Sequence, residues 1–203
     1  MKRVILLGKG ELAVRIADWF LKSNDYNLEI VVPVIPEPTW AVSLLSWCNG
    51  NNVKVVSSGD YLEVLNVGLE DFLVISVFYD KIIKKEFIKK CSKILNLHNG
   101  PLPRYRGVRP INWALKNGEI EHGVTIHEIT PGIDDGPIIA QIKYSIYPEF
   151  DEVMPVYKRA LEYGWILFQQ TIPILNLIKS RKQDETAATY YSNKDMRNLG
   201  KYE

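Results

Sequence analysis

The sequence predicts an α/β protein built on a doubly wound, mostly parallel, Rossmann-like sheet with helices on both faces. The first observation is that segments such as Val4–Leu7 and Phe72–Val77 are apolar throughout, with no polar alternation. Strands of that kind are buried on both faces, as in parallel sheets. The second observation is that these segments alternate with helix-like amphipathic segments, which is the order of a βαβ chain. Beyond residue 108, alternation over 123–129 predicts antiparallel strands and then a short tail.

The elements of the first hundred residues follow from spacing and turn residues. Val4–Leu7 ends in Gly8-Lys9-Gly10, and apolar residues then recur at helical spacing as far as Phe20. The same signals predict strands at Leu28–Val34, Val53–Val56, Phe72–Val77 and Ile94–Leu97, and helices at Val42–Cys48 and Lys81–Cys91, the latter with Ile82, Ile83, Phe87 and Ile88 inward. Ligands of such sheets bind outside the carboxyl ends of the strands. We therefore expect a site where residues 8–10, 78–81 and 98–106 converge.

The second half of the chain predicts a different arrangement. A short helix at Ile111–Leu115 precedes two strands, Gly123–Ile129 and Pro137–Ile146, which we expect to be antiparallel neighbours. A long amphipathic helix follows, and Pro173 is expected to kink or divide it. Lys179–Glu185 is a charge run that we expect to be solvated, and residues 186–203 form a polar tail. These patterns predict a catalytic domain at 1–180 with a short extension at 181–203.

Bulk composition narrows the function class. The chain has 203 residues, 46% of them hydrophobic and 24% charged, with a net charge of +1. Such a balance is typical of globular proteins and gives no argument for a nucleic-acid or membrane partner. Two cysteines form neither a disulfide framework nor a metal motif, which fits a cytoplasmic location. No apolar run approaches the length of a membrane span.

Three side chains carry the chemistry that the sequence suggests. Asn96 and His98 close an apolar strand, and residues two apart on a strand point to the same side. Asp134 lies on a second turn that is rich in glycine and proline. An amide donor, a titratable imidazole and a carboxylate that orients it are the groups that acyl transfer requires.

Four motifs together resemble the family of N10-formyltetrahydrofolate-dependent formyltransferases. They are Asn96-Leu97-His98, Leu102–Gly107, His122–His127 and Asp134-Asp135-Gly136-Pro137. Within the family, the segments 98–101, 108–115 and 189–191 resemble the enzymes that act on nucleotide-linked amino sugars. The resemblance implies transfer of a formyl group from N10-formyltetrahydrofolate to the amine of a dTDP-linked amino-dideoxy sugar, for the synthesis of surface polysaccharide such as lipopolysaccharide O-antigen.

The resemblance also implies roles for individual residues. Asn96 and His98 would stabilise the developing oxyanion, and Asp134 would raise the charged fraction of His98 at neutral pH and hold a water that relays a proton. The expected folate-binding residues are Phe78, Tyr79, Ile82, Ile129, Thr130 and Ile133. The expected substrate-binding residues are Lys9, Lys81, Arg104, Tyr105, Arg106 and Trp113. No metal is expected, because the three histidines show no ligand spacing.

Several alternatives remain open at this point. The acceptor could be glycinamide ribonucleotide or a methionyl-tRNA, or the chain could be a non-catalytic Rossmann-like binding protein. Gly8-Lys9-Gly10 with Ala13 suggests a dinucleotide, but no acidic residue follows strand two, so NAD binding is disfavoured. His122 is expected to be structural, His127 to support the site from its strand, and Asp135 to be a turn residue. A homodimer is compatible with the family, and the oligomeric state is open.

Overall fold

The computed structural model describes residues 1–202 of the chain. The residues cluster into two compact units, Met1–Leu97 and His98–Glu203. The predicted division into a domain at 1–180 and an extension at 181–203 rests on sequence pattern and stays a prediction.

The first unit is a parallel sheet with helices between its strands. Its strands are β1 (Lys2–Gly8), β2 (Tyr26–Pro33), β3 (Phe72–Val77) and β4 (Lys93–His98), and its helices are α1 (Gly10–Leu21), α2 (Leu44–Gly50) and α3 (Lys85–Lys90). The strands pair in parallel in the order β2-β1-β3-β4. All of β3, and β1 from Val4 onward, is buried. Burial of both faces explains why these strands show no polar alternation.

The carboxyl ends of these strands lie side by side. Gly8 is in register with Pro33 of β2 and with Val77 of β3, and Val77 is in register with Leu97 of β4. A Cβ at Gly8 would lie 2.6 Å from the Val77 carbonyl oxygen, so glycine permits this close pairing. The segments that follow β1 and β3 therefore leave the sheet side by side, at the carboxyl ends of the strands, as predicted.

Helix α1 follows the predicted spacing, whereas α3 is shorter than predicted. In α1 the buried side chains recur every three or four residues from Leu12 to Phe20. Helix α3 begins at Lys85 instead of Lys81, because the hydroxyl of Tyr61 donates to the Ile82 carbonyl (3.1 Å) and accepts from the Lys84 amide (2.9 Å). These bonds hold the 82–84 segment outside the helix.

Two finer expectations of the first unit are wrong. Ile82 is 72% exposed and does not point inward, since it precedes the helix whose face would have buried it. The strand predicted at Val53–Val56 is reduced to one isolated bridge between Val55 and Val31.

The second unit combines an antiparallel strand pair with a short parallel one. Its strands are β5 (Arg106–Gly107), β6 (Glu121–Glu128), β7 (Ile138–Ser145) and β8 (Tyr190–Tyr191), and its helices are α4 (Pro110–Lys116) and α5 (Val153–Thr171). Strands β6 and β7 are antiparallel neighbours, as predicted. Helix α5 ends at Thr171 and continues as a 3-10 helix that contains Pro173, which confirms the predicted break.

The segment after α5 pairs through its backbone with other strands of the second unit, which its charge does not suggest. Arg181 exchanges backbone hydrogen bonds with Ile138 at 2.8 and 2.9 Å. Strand β8 then pairs in parallel with β5, so that Tyr190 is in register with Arg106. The charged residues of the run at 179–185 are exposed, as predicted, although the backbone of Arg181 pairs with β7.

The predicted fold class is confirmed. The chain has an α/β fold with mostly parallel strands, helices between them and antiparallel strands toward its carboxyl-terminal part. Among residues 1–202, no helix is both long enough and apolar enough to span a bilayer.

Candidate active site

Strand β4 carries the first two predicted catalytic residues, Asn96 and His98. Asn96 lies opposite Ser76 of β3, and His98 is the last residue of β4. Because the two are separated by one residue on a strand, their side chains share a face. Asn96 is half-buried and His98 is only 6% exposed.

The structure brings His98 together with Asp134. The imidazole Nδ1 lies 3.4 Å from Oδ2 of Asp134, and Nε2 lies 2.8 Å from the carbonyl oxygen of Tyr105. Both neighbours are hydrogen-bond acceptors, so a ring with protons on both nitrogens satisfies both, whereas a neutral ring satisfies one. These two contacts fix the orientation of the ring.

The Asp134 carboxylate is itself held on three sides. Its Oδ2 accepts a hydrogen bond from the Gly107 amide at 2.9 Å, and its Oδ1 lies 3.4 Å from Nε2 of His127. The other ring nitrogen of His127 faces the Glu128 carbonyl at 2.9 Å. His127 therefore contacts the carboxylate from β6, in line with the expectation that it supports the site from its strand.

Electrostatics at this pair favours an ionised carboxylate. Burial alone would raise the pKa of Asp134, but His98, His127 and the Gly107 amide outweigh it, and the pKa is lowered. Burial lowers the pKa of His98, and the attraction of Asp134 opposes that effect without cancelling it. Asp134 thus raises the pKa of His98, as expected, but burial outweighs this attraction, and the sequence does not show that the ring is buried.

The loop after β4 places the expected substrate-binding residues in ordered contacts. Arg104 pairs with Glu119, whose carboxylate also accepts from the Tyr105 hydroxyl at 2.7 Å. The ring of Trp113 stacks on Tyr191 with centroids 4.3 Å apart. Binding roles for Arg104, Tyr105 and Trp113 stay predictions.

The first unit also carries residues that are expected to bind folate or substrate, and two of them contact the turn at Gly59. The Lys81 ammonium and the Tyr79 hydroxyl each donate to the Gly59 carbonyl at 2.7 Å. The ammonium of Lys9 pairs with Asp80 at 3.1 Å. Phe78 directly follows β3 with a φ of 56°, in the left-handed region. The proposed roles of these residues in binding folate or substrate stay predictions.

The expected folate-binding residues before Asp134 lie on the link from β6 to β7. Ile129 and Thr130 are half-buried, and Ile133 is 41% exposed. The Thr130 hydroxyl donates to Asp135, so that Asp135 serves the turn, as expected.

Sequence reasoning missed Gln183. Its side-chain amide donates to the carbonyl oxygens of Asp134 (2.7 Å) and Gly136 (2.8 Å), and its oxygen accepts from Arg106. No local signal could have revealed this contact, because a glutamine within a charge run is normally solvated. Pairing of β8 with β5 brings this segment to the turn at 134–136.

An α/β protein with an ordered imidazole–carboxylate pair at the end of a parallel strand is suited to acid–base chemistry on a bound substrate. The sequence profile of the formyl transferase family matches residues 60–172. That match covers more than half of the chain, so the chain belongs to the formyl transferase family, and the resemblance noted from its motifs is confirmed.

Two curated relatives illustrate the range of the family. The chain is 32% identical to the methionyl-tRNA formyltransferase of Moorella thermoacetica over 160 residues, which are 77% of this chain and 51% of that protein. It is 36% identical to the bifunctional polymyxin resistance protein ArnA of Wigglesworthia glossinidia brevipalpis over 129 residues, which are 63% of this chain and 18% of that protein. The chain thus spans about half or less of the length of these relatives.

A solved structure shares nearly the whole fold. It is the N-formyltransferase of Helicobacter canadensis in complex with folinic acid and dTDP-3-aminofucose. The TM-score is 0.83 at 30% identity, over 96% of this chain and 72% of that one. Other solved sugar N-formyltransferases share the fold as well.

Proposed function

We propose that this chain transfers a formyl group from N10-formyltetrahydrofolate to the amine of a dTDP-linked amino-dideoxy sugar. The observation that carries the proposal is the contact of His98 with Asp134 in a chain of the formyl transferase family. His98 lies two residues after Asn96 on β4. The sugar acceptor is supported by the likeness to the Helicobacter canadensis enzyme, whose complex contains dTDP-3-aminofucose.

The residues of the site match the needs of this reaction. In the transfer, the acceptor nitrogen bonds to the formyl carbon, the bond from that carbon to the donor nitrogen breaks, and one proton passes from the first nitrogen to the second. Negative charge develops on the formyl oxygen, and the side-chain amide of Asn96 is a donor suited to it. The His98 ring, held by Asp134, lies two residues further along the same strand. Asp134 stays ionised, so that it can hold a water that relays the proton of the acceptor ammonium.

The donor supplies a formyl group already activated by its attachment to nitrogen. Its ring system requires an apolar wall with backbone groups nearby. In the first unit, Ile82 exposes 72% of its surface directly after the strand end that carries Phe78 and Tyr79. In the second unit, Ile133 exposes 41% immediately before Asp134. An exposed isoleucine in each unit fits the need for apolar surface, and we assign these residues to the donor.

A methionyl-tRNA is the second candidate acceptor, since a methionyl-tRNA formyltransferase is among the relatives. The net charge of +1 gives this chain little of the attraction that a polyanionic acceptor uses. Turnover measured in parallel on dTDP-amino sugars, glycinamide ribonucleotide and methionyl-tRNA separates the candidates. Efficient use of the tRNA alone would replace the sugar in this proposal.

The decisive experiment combines a substrate panel with variants. The purified chain is incubated with N10-formyltetrahydrofolate and a series of nucleotide-linked amino sugars, and products are identified by the mass gain of one formyl group. We expect Asn96→Ala and His98→Ala to abolish the gain while circular dichroism stays unchanged. Asn24→Ala, at an exposed position, is the matched control and should keep full activity. Activity retained in both site variants would contradict the proposed mechanism.

The cellular setting belongs to the same proposal. Formylated nucleotide sugars would serve surface polysaccharide synthesis such as that of O-antigen, and the reaction would take place in the cytoplasm. A homodimer is compatible with this function, and light scattering would establish the oligomeric state.

A further inference from the structure

The side-chain amide of Gln183 has both of its ends engaged. Its nitrogen donates to the carbonyl oxygens of Asp134 at 2.7 Å and Gly136 at 2.8 Å. Its oxygen accepts from Nε of Arg106 at 3.1 Å and from Nη2 at 2.8 Å. If the Gln183 amide were flipped, its oxygen would face two carbonyl oxygens and its nitrogen would face the Arg106 guanidinium. Neither arrangement pairs a donor with an acceptor, so the network permits one orientation.

The turn that Gln183 holds needs an external support. Asp134 has a φ of 52°, in the left-handed region, where a residue other than glycine carries a cost of roughly 1–3 kcal/mol. Two residues on, a Cβ at Gly136 would come within 1.8 Å of the Glu128 carbonyl oxygen. Such a turn persists only where surrounding groups determine it, and the two bonds from Gln183 are of that kind.

Arg106 connects this support to the carboxylate. Its guanidinium is nearly buried and pairs in bidentate fashion with Glu185, at 2.9 and 2.7 Å. The next residue, Gly107, donates its backbone amide to Oδ2 of Asp134 at 2.9 Å. Strand β5 therefore supports Asp134 in two ways. The Gly107 amide binds the carboxylate directly, and Arg106 binds Gln183, which in turn binds the backbone carbonyl of Asp134.

We propose that Gln183 is a positioning residue for formyl transfer, which holds the backbone of residues 134–136 so that the Asp134 carboxylate faces the ring of His98. This inference rests on the proposed function for its catalytic consequence. Its structural content, that Gln183 sets the contact between Asp134 and His98, is independent of the acceptor.

The test uses two variants and a matched control in the full chain. Gln183→Ala removes all four hydrogen bonds. Gln183→Glu keeps the size and the acceptor for Arg106 but cannot donate to the two carbonyl oxygens. The control is Gln170→Ala, at an exposed position on α5. We expect kcat to fall about 10–100-fold in both Gln183 variants with little change in KM, because a displacement of about 1 Å costs on that order. The control should match the parent chain.

A second measurement reports on the contact without any substrate. Nitrogen-15 NMR of the His98 ring follows its protonation in a site where Asp134, His127 and the Tyr105 carbonyl are the facing groups. Since Asp134 raises the pKa of His98, its displacement in either Gln183 variant should lower that pKa. Asp134→Asn provides the reference for complete loss of the charge.

The outcomes separate the two proposals. If the parent chain formylates no acceptor, the proposed function fails, and the NMR comparison still decides the role of Gln183. Parental kcat in folded Gln183→Glu, or unchanged His98 resonances in both variants, would overturn the positioning role. A Gln183→Ala chain that fails to fold leaves the decision to Gln183→Glu, whose side chain has the same size.

Discussion

Replacement of Asp134 by asparagine tests the electrostatic part of the site. The side chain keeps its shape and one oxygen, which can still accept from the Gly107 amide. What it loses is the negative charge 3.4 Å from Nδ1 of His98 and 3.4 Å from Nε2 of His127. With an effective dielectric constant of about 20, two unit charges at that distance attract by roughly 5 kcal/mol.

This energy sets the expected effect on turnover. General acid–base catalysis contributes about 10²–10⁴ in rate, which is roughly 3–5 kcal/mol of barrier and is of the same order as the attraction that Asp134→Asn removes. We therefore expect kcat to fall by about 10²–10⁴. The pKa of His98 should also fall, because Asp134 is the group that raises it against burial.

The assay is single-turnover formyl transfer, followed by mass, over a range of pH. The matched control is Asp135→Asn, which makes the same change one residue away, where the exposed carboxylate accepts from the Thr130 hydroxyl. The reasoning is refuted if Asp134→Asn retains turnover within a few-fold of the parent chain, or if Asp135→Asn loses as much.

Two further predictions concern stability. Phe87→Ala, at a fully buried position on α3, should lower the free energy of unfolding in urea by about 3–5 kcal/mol, whereas Phe150→Ala, at a position that is 86% exposed, should change it by less than about 0.5 kcal/mol. Equal losses in the two would show that burial does not set the cost. Burial lowers the pKa of His122 to about 4, against about 6.5 when unfolded. A group with a lowered folded pKa stabilises above its unfolded pKa, so the free energy of unfolding should drop by roughly 3 kcal/mol as the pH falls from about 6.5 to about 4. His122→Asn should flatten that slope, and an unchanged slope would assign it to other groups.

The sequence predicted the elements whose signal is local. Continuous apolar runs such as β3 and helical spacing such as that of α1 are direct consequences of burial, and both were found where expected. The position of Asn96 and His98 at the end of β4 follows from the same argument. The contact of His98 with Asp134 could be expected only through the motifs.

What the sequence did not predict depends on contacts between distant segments. The Tyr61 hydroxyl shortens α3 through bonds to residues 21 and 23 positions further along the chain, and the partners of a hydroxyl have no periodic signature. Burial of His98 outweighs the effect of Asp134 on its pKa, and desolvation depends on packing that no motif encodes. Gln183 reaches the turn at Asp134 only after β8 has paired with β5, so its position in a charge run was misleading.

The pairing of β5 with β8 has a consequence for biosynthesis. Gly107 can pair with Tyr191 only after Tyr191 has been translated, which is 84 positions later in the chain. At about 5–20 residues per second, the interval is roughly 4–17 s, long enough for the amino-terminal sheet to fold on the ribosome first. Nascent chains would thus complete the contacts of the turn at 134–136 only after residues 183–191 have emerged.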